Sequence, residues 1–162
     1  MKIVNMNIRL SEHFTLGEVC KTSHQTADGN MPSREAIDNL RNLCENWLED
    51  LRYSNNALYG NPSTGSGADE PIIITSGYRS AEVNKLAGGS PNSNHLTGCA
   101  VDIRCTGIEQ ALRYANILLD IADGTKRDFD ELLIEKNKRG SCWIHFAVRP
   151  KGNRRKTSFL LV

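Results

Sequence analysis

Residues 93–103, SNHLTGCAVDI, join a polar loop to an apolar strand and carry two chemically distinctive side chains. His95 is expected in the loop and Asp102 inside a strand over 99–104. Alternation along that strand puts Ala100, Asp102 and Arg104 on one face and Cys99, Val101 and Ile103 on the other. A carboxylate in the middle of an apolar strand is costly unless it is paired or binds a metal. Asp102 is therefore either an ion-pair partner, for which Arg104 is available, or a metal ligand together with His95.

A second histidine lies in a later apolar strand, residues 143–148 (WIHFAV). Alternation puts Ile144, Phe146 and Val148 on one face, and Trp143, His145 and Ala147 on the other. A lone histidine on a strand is often a structural residue, and that alternative stays open for His145. Two histidines and one aspartate are nevertheless a suitable ligand set for zinc. They leave a fourth position for water, which is the arrangement of a catalytic zinc site.

Two further charged residues are candidates for a role in chemistry. Arg79 lies in a turn between a predicted strand and a predicted helix, where its guanidinium can bind a carboxylate or a developing oxyanion. The alternative is a surface arginine at a helix start, where the helix dipole disfavours a cation. Glu135 ends the strand that is expected to pair with the His145 strand, so it is a candidate general base. A solvated acid is the alternative for Glu135, as it is for Asp130 and Glu131 at the other end of that strand.

The rest of the chain predicts a mixture of helices and strands. A helix begins after Ser33 and keeps its apolar spacing as far as Leu51, and a long loop follows over 54–70. Strands are predicted over 71–75, 99–104, 130–134, 143–148 and, at an edge, 159–162. Shorter helices are predicted over 81–87 and from a capping box at 106–109 to 123–124. Because the strands cluster after residue 70, this order predicts an α+β fold with a mainly antiparallel sheet and helices packed on one face.

Composition places the chain among ordinary globular proteins. Its 162 residues are 39% hydrophobic and 24% charged, which predicts one domain over 1–162. The net charge of +1 provides no overall attraction to nucleic acid or to a membrane surface. No apolar run is long enough for a membrane span, and the first twenty residues hold no secretory apolar segment. The five cysteines are odd in number and form no C-x-x-C pair, so we expect reduced, buried thiols.

These motifs together resemble the family of zinc D-Ala-D-Ala carboxypeptidases and related peptidoglycan peptidases. The likeness covers roughly residues 10–150 in the right order. It is carried by LSEHFTLGE at 10–18, SGYRS at 76–80, VN at 83–84, GG at 88–89, the run 93–103, FDELLIE at 129–135 and WIH at 143–145.

The resemblance implies an α+β zinc-peptidase fold shared with the Hedgehog signalling domain. In such proteins the residues that match His95, Asp102 and His145 hold Zn²⁺. The residue that matches Arg79 helps to bind the substrate or its transition state, and Ser93 matches a polar residue that borders the substrate site. The implied function is zinc-dependent hydrolysis of peptide bonds in bacterial peptidoglycan stems, with Glu135 as the base.

The two roles of Arg79 predict different substrates. If Arg79 clamps a terminal carboxylate, the protein is a D-Ala-D-Ala carboxypeptidase. If it contacts only the oxyanion, the site also permits an endopeptidase of the endolysin type that cuts cross-links or stems. One position departs from the family, since many relatives carry a catalytic Glu three residues before the last His, where this chain has Cys142. That departure leaves a second function open, a zinc-containing module that binds cell wall or protein without catalysis.

The partners and the location of the protein follow from the same resemblance. Nucleic-acid binding through Lys151, Arg154, Arg155 and Lys156 is not expected, because no aromatic residues are interleaved with these charges. We expect a monomer that does not insert into membranes and whose substrate is a peptidoglycan peptide. It is expected to be made in the cytoplasm without a signal peptide and to act at the cell wall, after phage-type release or signal-independent export.

Overall fold

A mixed five-stranded sheet forms the centre of the protein, which is seen in a computed structural model that describes residues 4–60 and 69–162. The strands are β1 (Ile74–Ser76), β2 (Ala100–Cys105), β3 (Glu131–Lys136), β4 (Cys142–Ala147) and β5 (Lys156–Leu161), in the order β1-β2-β4-β3-β5. Neighbours are antiparallel except β3 and β5, which are parallel. The predicted α+β class with a mainly antiparallel sheet is confirmed, while the likeness to the Hedgehog fold stays a prediction.

The helices begin and end as follows: α1 Leu16–Val19, α2 Arg34–Leu43, α3 Glu49–Tyr59, α4 Ala81–Leu86 and α5 Ile108–Thr125. A π-helical turn, Cys44–Leu48, joins α2 to α3, so one long helical segment follows Ser33. The Ser33 side chain accepts a hydrogen bond from the Ala36 amide at 3.1 Å, which confirms the predicted N-cap. A short 3₁₀ helix, Asn94–Thr97, precedes β2. No helix among the described residues combines the length and the apolar character that crossing a membrane requires.

Three local predictions are wrong. The first strand, predicted over 71–75, forms only over Ile74–Ser76. The stretch 54–70 is not one loop, because α3 runs on to Tyr59 with Asn55 buried; residues 61–68 lie outside the described residues. The capping box at 106–109 does not form. The N-cap of α5 is Gly107, and the Thr106 amide donates instead to the Gln110 side chain at 2.8 Å. The Gln110 side chain, one residue after Glu109, thus accepts the hydrogen bond that the capping-box pattern assigns to Glu109.

The two faces of the sheet have different surroundings. Helices α2, α3 and α5 share one hydrophobic core with the face that carries Val101, Ile103, Ile144 and Phe146. The opposite face carries Asp102 on β2 and His145 on β4, as alternation predicts. All five cysteines lie in the described part of the chain, and each is buried and outside any disulfide. The sheet therefore separates an apolar core from a polar face on which chemistry can take place.

Candidate metal centre

Strand pairing and one short helix bring His95, Asp102 and His145 together. Asp102 and His145 are direct partners in the antiparallel register of β2 and β4, so their side chains lie side by side on the polar face. His95 comes from the 3₁₀ helix, whose N-cap Ser93 accepts a hydrogen bond from the His95 amide at 3.3 Å. The helix ends at Gly98 in the left-handed region (φ 71°).

Gly98 also allows a close backbone approach. A Cβ atom at this position would lie 2.4 Å from the carbonyl oxygen of Ala36 on α2. Because no side chain fits there, glycine is needed both for the left-handed turn and for the contact with α2. The His95 loop is thereby held against the long helical segment.

The three side chains converge on one carboxylate oxygen. Asp102 Oδ1 lies 3.0 Å from His145 Nδ1 and 3.3 Å from His95 Nε2. One potential ligand atom from each residue lies within 4.8 Å of the others, and all three residues are well shielded from solvent. Two imidazole nitrogens and one carboxylate oxygen are donors that zinc prefers. The group that the sequence predicts as a metal set is thus assembled in space.

The outer nitrogen of each histidine also has a partner. His95 Nδ1 lies 2.6 Å from the carbonyl oxygen of Gly77, and His145 Nε2 lies 3.2 Å from Glu131 Oε2. Each ring therefore presents one nitrogen to Asp102 and the other to an acceptor outside the group. This is the arrangement that metal-binding histidines commonly adopt.

The electrostatics of the group favour a bound cation. Burial alone raises the pKa of Asp102, but the two histidines beside it outweigh burial and hold that pKa below its usual range. Burial lowers the pKa of His145, yet its hydrogen bonds to Asp102 and Glu131 raise it to about 9. The carboxylates around His145 thus stabilise positive charge at this point, whether it is a proton or a metal ion.

Arg79, and not Arg104, is the cation that pairs with Asp102. Arg79 Nη2 donates to Asp102 Oδ2 at 2.8 Å, and its Nε donates to Ser76 Oγ at 2.8 Å. Arg104 is exposed. The simple alternative of an Asp102–Arg104 pair along one strand is wrong, because the turn after β1 brings Arg79 to the free oxygen of the carboxylate. The other oxygen of Asp102 still faces both histidines.

Two cavities meet at His145. One, of about 420 Å³, is lined by Arg79, Asp102, Trp143 and the glycine pair at 88–89 among others. The second, of about 710 Å³, extends past Arg149 and Arg154. Ser93, Glu135 and His145 line both. The predicted substrate-site residue Ser93 and the predicted base Glu135 therefore lie on the same groove as the metal set.

Glu135 and Glu131 both flank His145 on the neighbouring strand. Leu133 is the register partner of His145, so Glu131 and Glu135 lie two residues to either side of it and share its face. Glu135 accepts a hydrogen bond from the Trp143 indole at 2.6 Å. Treating Glu131 as a solvated acid far from the metal set is wrong. The pairing of β3 with β4 explains this contact, because Glu131 and Glu135 lie at equal distances on either side of Leu133, the partner of His145.

Asp130 is also not a solvated acid, because its side chain is fully buried. It accepts hydrogen bonds from Arg154 Nε (2.8 Å) and Nη2 (2.7 Å) and from Asn94 Nδ2 (2.8 Å). Burial alone raises the pKa of Asp130, but the bonds from Arg154 and Asn94 outweigh it and lower the pKa to about 2. Asp130 thus links Asn94, the residue before His95, to Arg154 in the segment that follows β4.

Cys142 lies on the opposite face of the sheet from the metal set. It is the register partner of Cys105, and both belong to the hydrophobic core. An offset of three residues within one strand turns a side chain to the other face, so Cys142 points away from the side on which His145 lies. It fills space in the core, which agrees with its expected role.

Most of the basic residues near the end of the chain have acidic partners. Arg154 contacts Asp130, Lys156 lies 3.5 Å from Glu131, and Arg155 contacts Asp123. Of the four cations considered for nucleic-acid binding, three are thus engaged in ion pairs within the protein.

Comparison with known proteins gives one family match. A family model described as Peptidase M15 matches residues 12–128, which is more than two thirds of the chain. The matched range contains Arg79, Ser93, His95 and Asp102 and ends before His145. A search of curated proteins finds no match.

Proposed function

Because the chain belongs to the peptidase M15 family, we propose that it is a zinc-dependent peptidase whose metal is held by His95, Asp102 and His145. The observation that carries the proposal is the convergence of these three side chains on Asp102 Oδ1. The donor set fits zinc, since it offers two imidazole nitrogens and one carboxylate within reach of a single ion. The outer contacts to Gly77 and Glu131 leave one nitrogen of each ring for the metal.

Zinc bound by this set supplies Lewis acidity, which polarises a substrate carbonyl and lowers the pKa of water toward 7. The protein supplies the proton transfers and the orientation. Glu135 lines the groove beside His145, and only Trp143 among the described residues donates a hydrogen bond to its side chain. Its carboxylate is therefore available to take a proton from the attacking water and to pass it to the leaving amine.

Arg79 is placed to stabilise charge at the same point. Along one edge, its guanidinium donates from Nη2 to Asp102 and from Nε to Ser76, and it lines the smaller cavity. A guanidinium held in this way keeps donors for a developing oxyanion. It does not present its complete fork to a terminal carboxylate, because one edge is already occupied.

The groove supports an endopeptidase more than a carboxypeptidase. Cavities extend to both sides of His145, so a peptide has room on either side of the bond to be cut. We propose that the substrate is a peptide of bacterial peptidoglycan and that the protein acts at the cell wall. The support for this substrate is the resemblance of the motifs at 76–80 and 93–103 to zinc D-Ala-D-Ala carboxypeptidases.

The test is digestion of purified peptidoglycan, and separately of an acyl-D-Ala-D-Ala peptide, with mass analysis of the products. We expect fragments with new peptide termini that disappear with a chelator and return with added zinc. The Asp102→Ala variant should lose this activity. The matched control is Arg104→Ala, which removes an exposed side chain from the same strand and should leave the activity unchanged.

The products also separate the alternatives. Release of free D-Ala alone means a carboxypeptidase and contradicts the two-sided groove. A protein that retains zinc and gives no chelator-sensitive product on either substrate is the binding module without catalysis, and that result overturns the peptidase.

A further inference from the structure

The two histidines of the metal set use different ring nitrogens. His95 presents Nε2 to Asp102, at 3.3 Å, whereas His145 presents Nδ1, at 3.0 Å. A histidine that binds a metal must offer a lone pair on one nitrogen and can keep a proton only on the other. The position of that proton is set by the acceptor on the outer side of each ring.

The outer acceptor of His145 is a side chain, and that of His95 is backbone. Gly77 supplies a carbonyl oxygen to His95 Nδ1 at 2.6 Å. Glu131 supplies Oε2 to His145 Nε2 at 3.2 Å. An ionised carboxylate only accepts, so this contact requires the proton on Nε2. Asp102 Oδ1 faces the other nitrogen, Nδ1, at 3.0 Å and accepts a proton from it in the same way when no metal is bound. A metal held by Asp102 and His145 would take the place of the Nδ1 proton, so the proton that His145 keeps is the one on Nε2.

Glu131 is itself fixed by three other groups. Asn94 Nδ2 donates to its Oε2 at 3.1 Å, while Arg154 Nη2 (3.2 Å) and Lys156 Nζ (3.5 Å) lie beside its Oε1. These partners come from the 3₁₀ helix and from the segment that ends in β5. A carboxylate with this many partners has one orientation, and it keeps little capacity to accept a further proton from water.

We propose that Glu131 is a positioning residue that holds the retained proton of His145 on Nε2 and thereby directs Nδ1 to the metal. This inference rests on the proposed zinc site. It assigns different roles to the two carboxylates that flank His145, since Glu135 has a single donor in the described part of the chain and lines both cavities. Asn94 precedes His95 in the chain, so its contact with Glu131 also ties the two histidines to one another.

The experiment measures zinc affinity by competition with a chromogenic chelator in wild type, Glu131→Ala, Glu131→Gln and Glu135→Gln. Loss of an outer partner of a metal-binding histidine costs about 10–100-fold in affinity, and we expect this loss in Glu131→Ala. Glu131→Gln keeps an oxygen acceptor but no charge, so it should fall between Glu131→Ala and wild type. Glu135→Gln is the matched control on the same strand and face, and its affinity should stay within about threefold of wild type.

A second readout reports the proton directly. In the zinc-loaded protein with ¹⁵N-labelled histidine, the His145 Nε2–H signal should be protected from exchange with water in wild type. It should broaden or disappear in Glu131→Ala. A merely structural role for Glu131 would lower thermal stability without moving this signal.

The outcomes separate this inference from the proposed function. If wild type binds no zinc, the proposed function and the inference both fail. If wild type binds zinc and both Glu131 variants match it in affinity and in the Nε2–H signal, the inference alone is overturned. If Glu131→Ala does not fold, the same comparison is made with Glu131→Gln, which keeps the shape of the side chain.

Discussion

Glu131 and Glu135 occupy equivalent places on β3 and differ in their partners. Both lie two residues from Leu133 and face the same side of the sheet as His145. Glu131 is surrounded by His145, Asn94, Arg154 and Lys156. Within residues 4–60 and 69–162, the Glu135 side chain receives one hydrogen bond, from the Trp143 indole.

The difference in partners is also a difference in chemistry. The hydrogen bond to His145 and the positive charges of His145, Arg154 and Lys156 together outweigh burial and lower the pKa of Glu131 to about 2. A carboxylate with so low a pKa is a poor base for water. Strand position thus decides which side chains reach the site, and their hydrogen bonds decide what each does there.

The largest expected effect is on kcat, and it distinguishes Glu135 from Glu131. Glu135→Gln should lower kcat by about 10²–10⁴-fold, because it removes the group that transfers protons. Added zinc should not restore the activity. For Glu131→Gln the loss should follow zinc occupancy and be recovered at high zinc. Steady-state kinetics on peptidoglycan fragments at several zinc concentrations measure both, and a zinc-rescued Glu135→Gln would contradict the assignment.

A smaller effect tests what holds Glu131 in place. Asp130 is fully buried, and it orients Arg154, which in turn contacts Glu131. Asp130→Asn should lower the free energy of unfolding by about 3 kcal/mol, because it leaves charged donors without their anion. Zinc affinity should fall as well, since Arg154 loses its anchor. Urea unfolding and chelator competition measure the two effects. Asp123→Asn, which removes an exposed partner of Arg155, is the control.

Lowering the pH should remove the stability that ionised Asp130 contributes to the folded protein. The pKa of Asp130 is about 2 in the folded protein and about 3.8 when unfolded. A lowered folded-state pKa contributes stability that is present above about pH 4 and lost as pH falls through about 2. The contribution is about 2 kcal/mol. Unfolding of the zinc-free protein between pH 5 and pH 2 should show a shallower decline in Asp130→Asn than in wild type, and parallel curves would refute the assignment.

The smallest effect concerns the single donor of Glu135. Trp143→Phe removes the indole N–H that binds Glu135 at 2.6 Å but keeps an aromatic ring. We expect the barrier for catalysis to rise by about 1 kcal/mol, which lowers kcat about fivefold, with zinc affinity unchanged. Kinetics with zinc in excess provide the measurement. A change in zinc affinity as large as that of Glu131→Ala would erase the distinction between the two glutamates.

The candidate metal set was predictable from local pattern together with the family resemblance. Asp102 and His145 stand out because polar residues in apolar strands need a reason, and His95 stands out because it belongs to the specific motif at 93–103. Alternation also places Asp102 and His145 away from the core without knowledge of the fold. Their pairing across β2 and β4 is a tertiary fact that no local pattern contains.

Predicting that Glu131 contacts His145 requires the register of β3 against β4, and this register depends on the turn between the two strands. The Asn137 side chain accepts from the amides of Arg139 and Ser141, both at 3.0 Å, and this turn aligns Leu133 with His145. Composition around 54–56 suggests a loop, but tertiary contacts override it: Asn56 Oδ1 accepts from the Glu70 amide at 2.8 Å. In both places a distant partner decides the outcome, so local propensity was insufficient.

The direct pairing of Asp102 with His145 has a consequence for how the sheet assembles. The two strands are separated in the chain by α5 and β3, so their alignment is fixed only when the central part of the sheet is complete. A slip of one residue between β2 and β4 would turn one of the two side chains into the core and remove a ligand. A metal that needs both residues binds only the correctly aligned chain and stabilises it by mass action. Zinc would therefore favour the correct alignment of β2 with β4 during folding, in addition to its proposed part in hydrolysis.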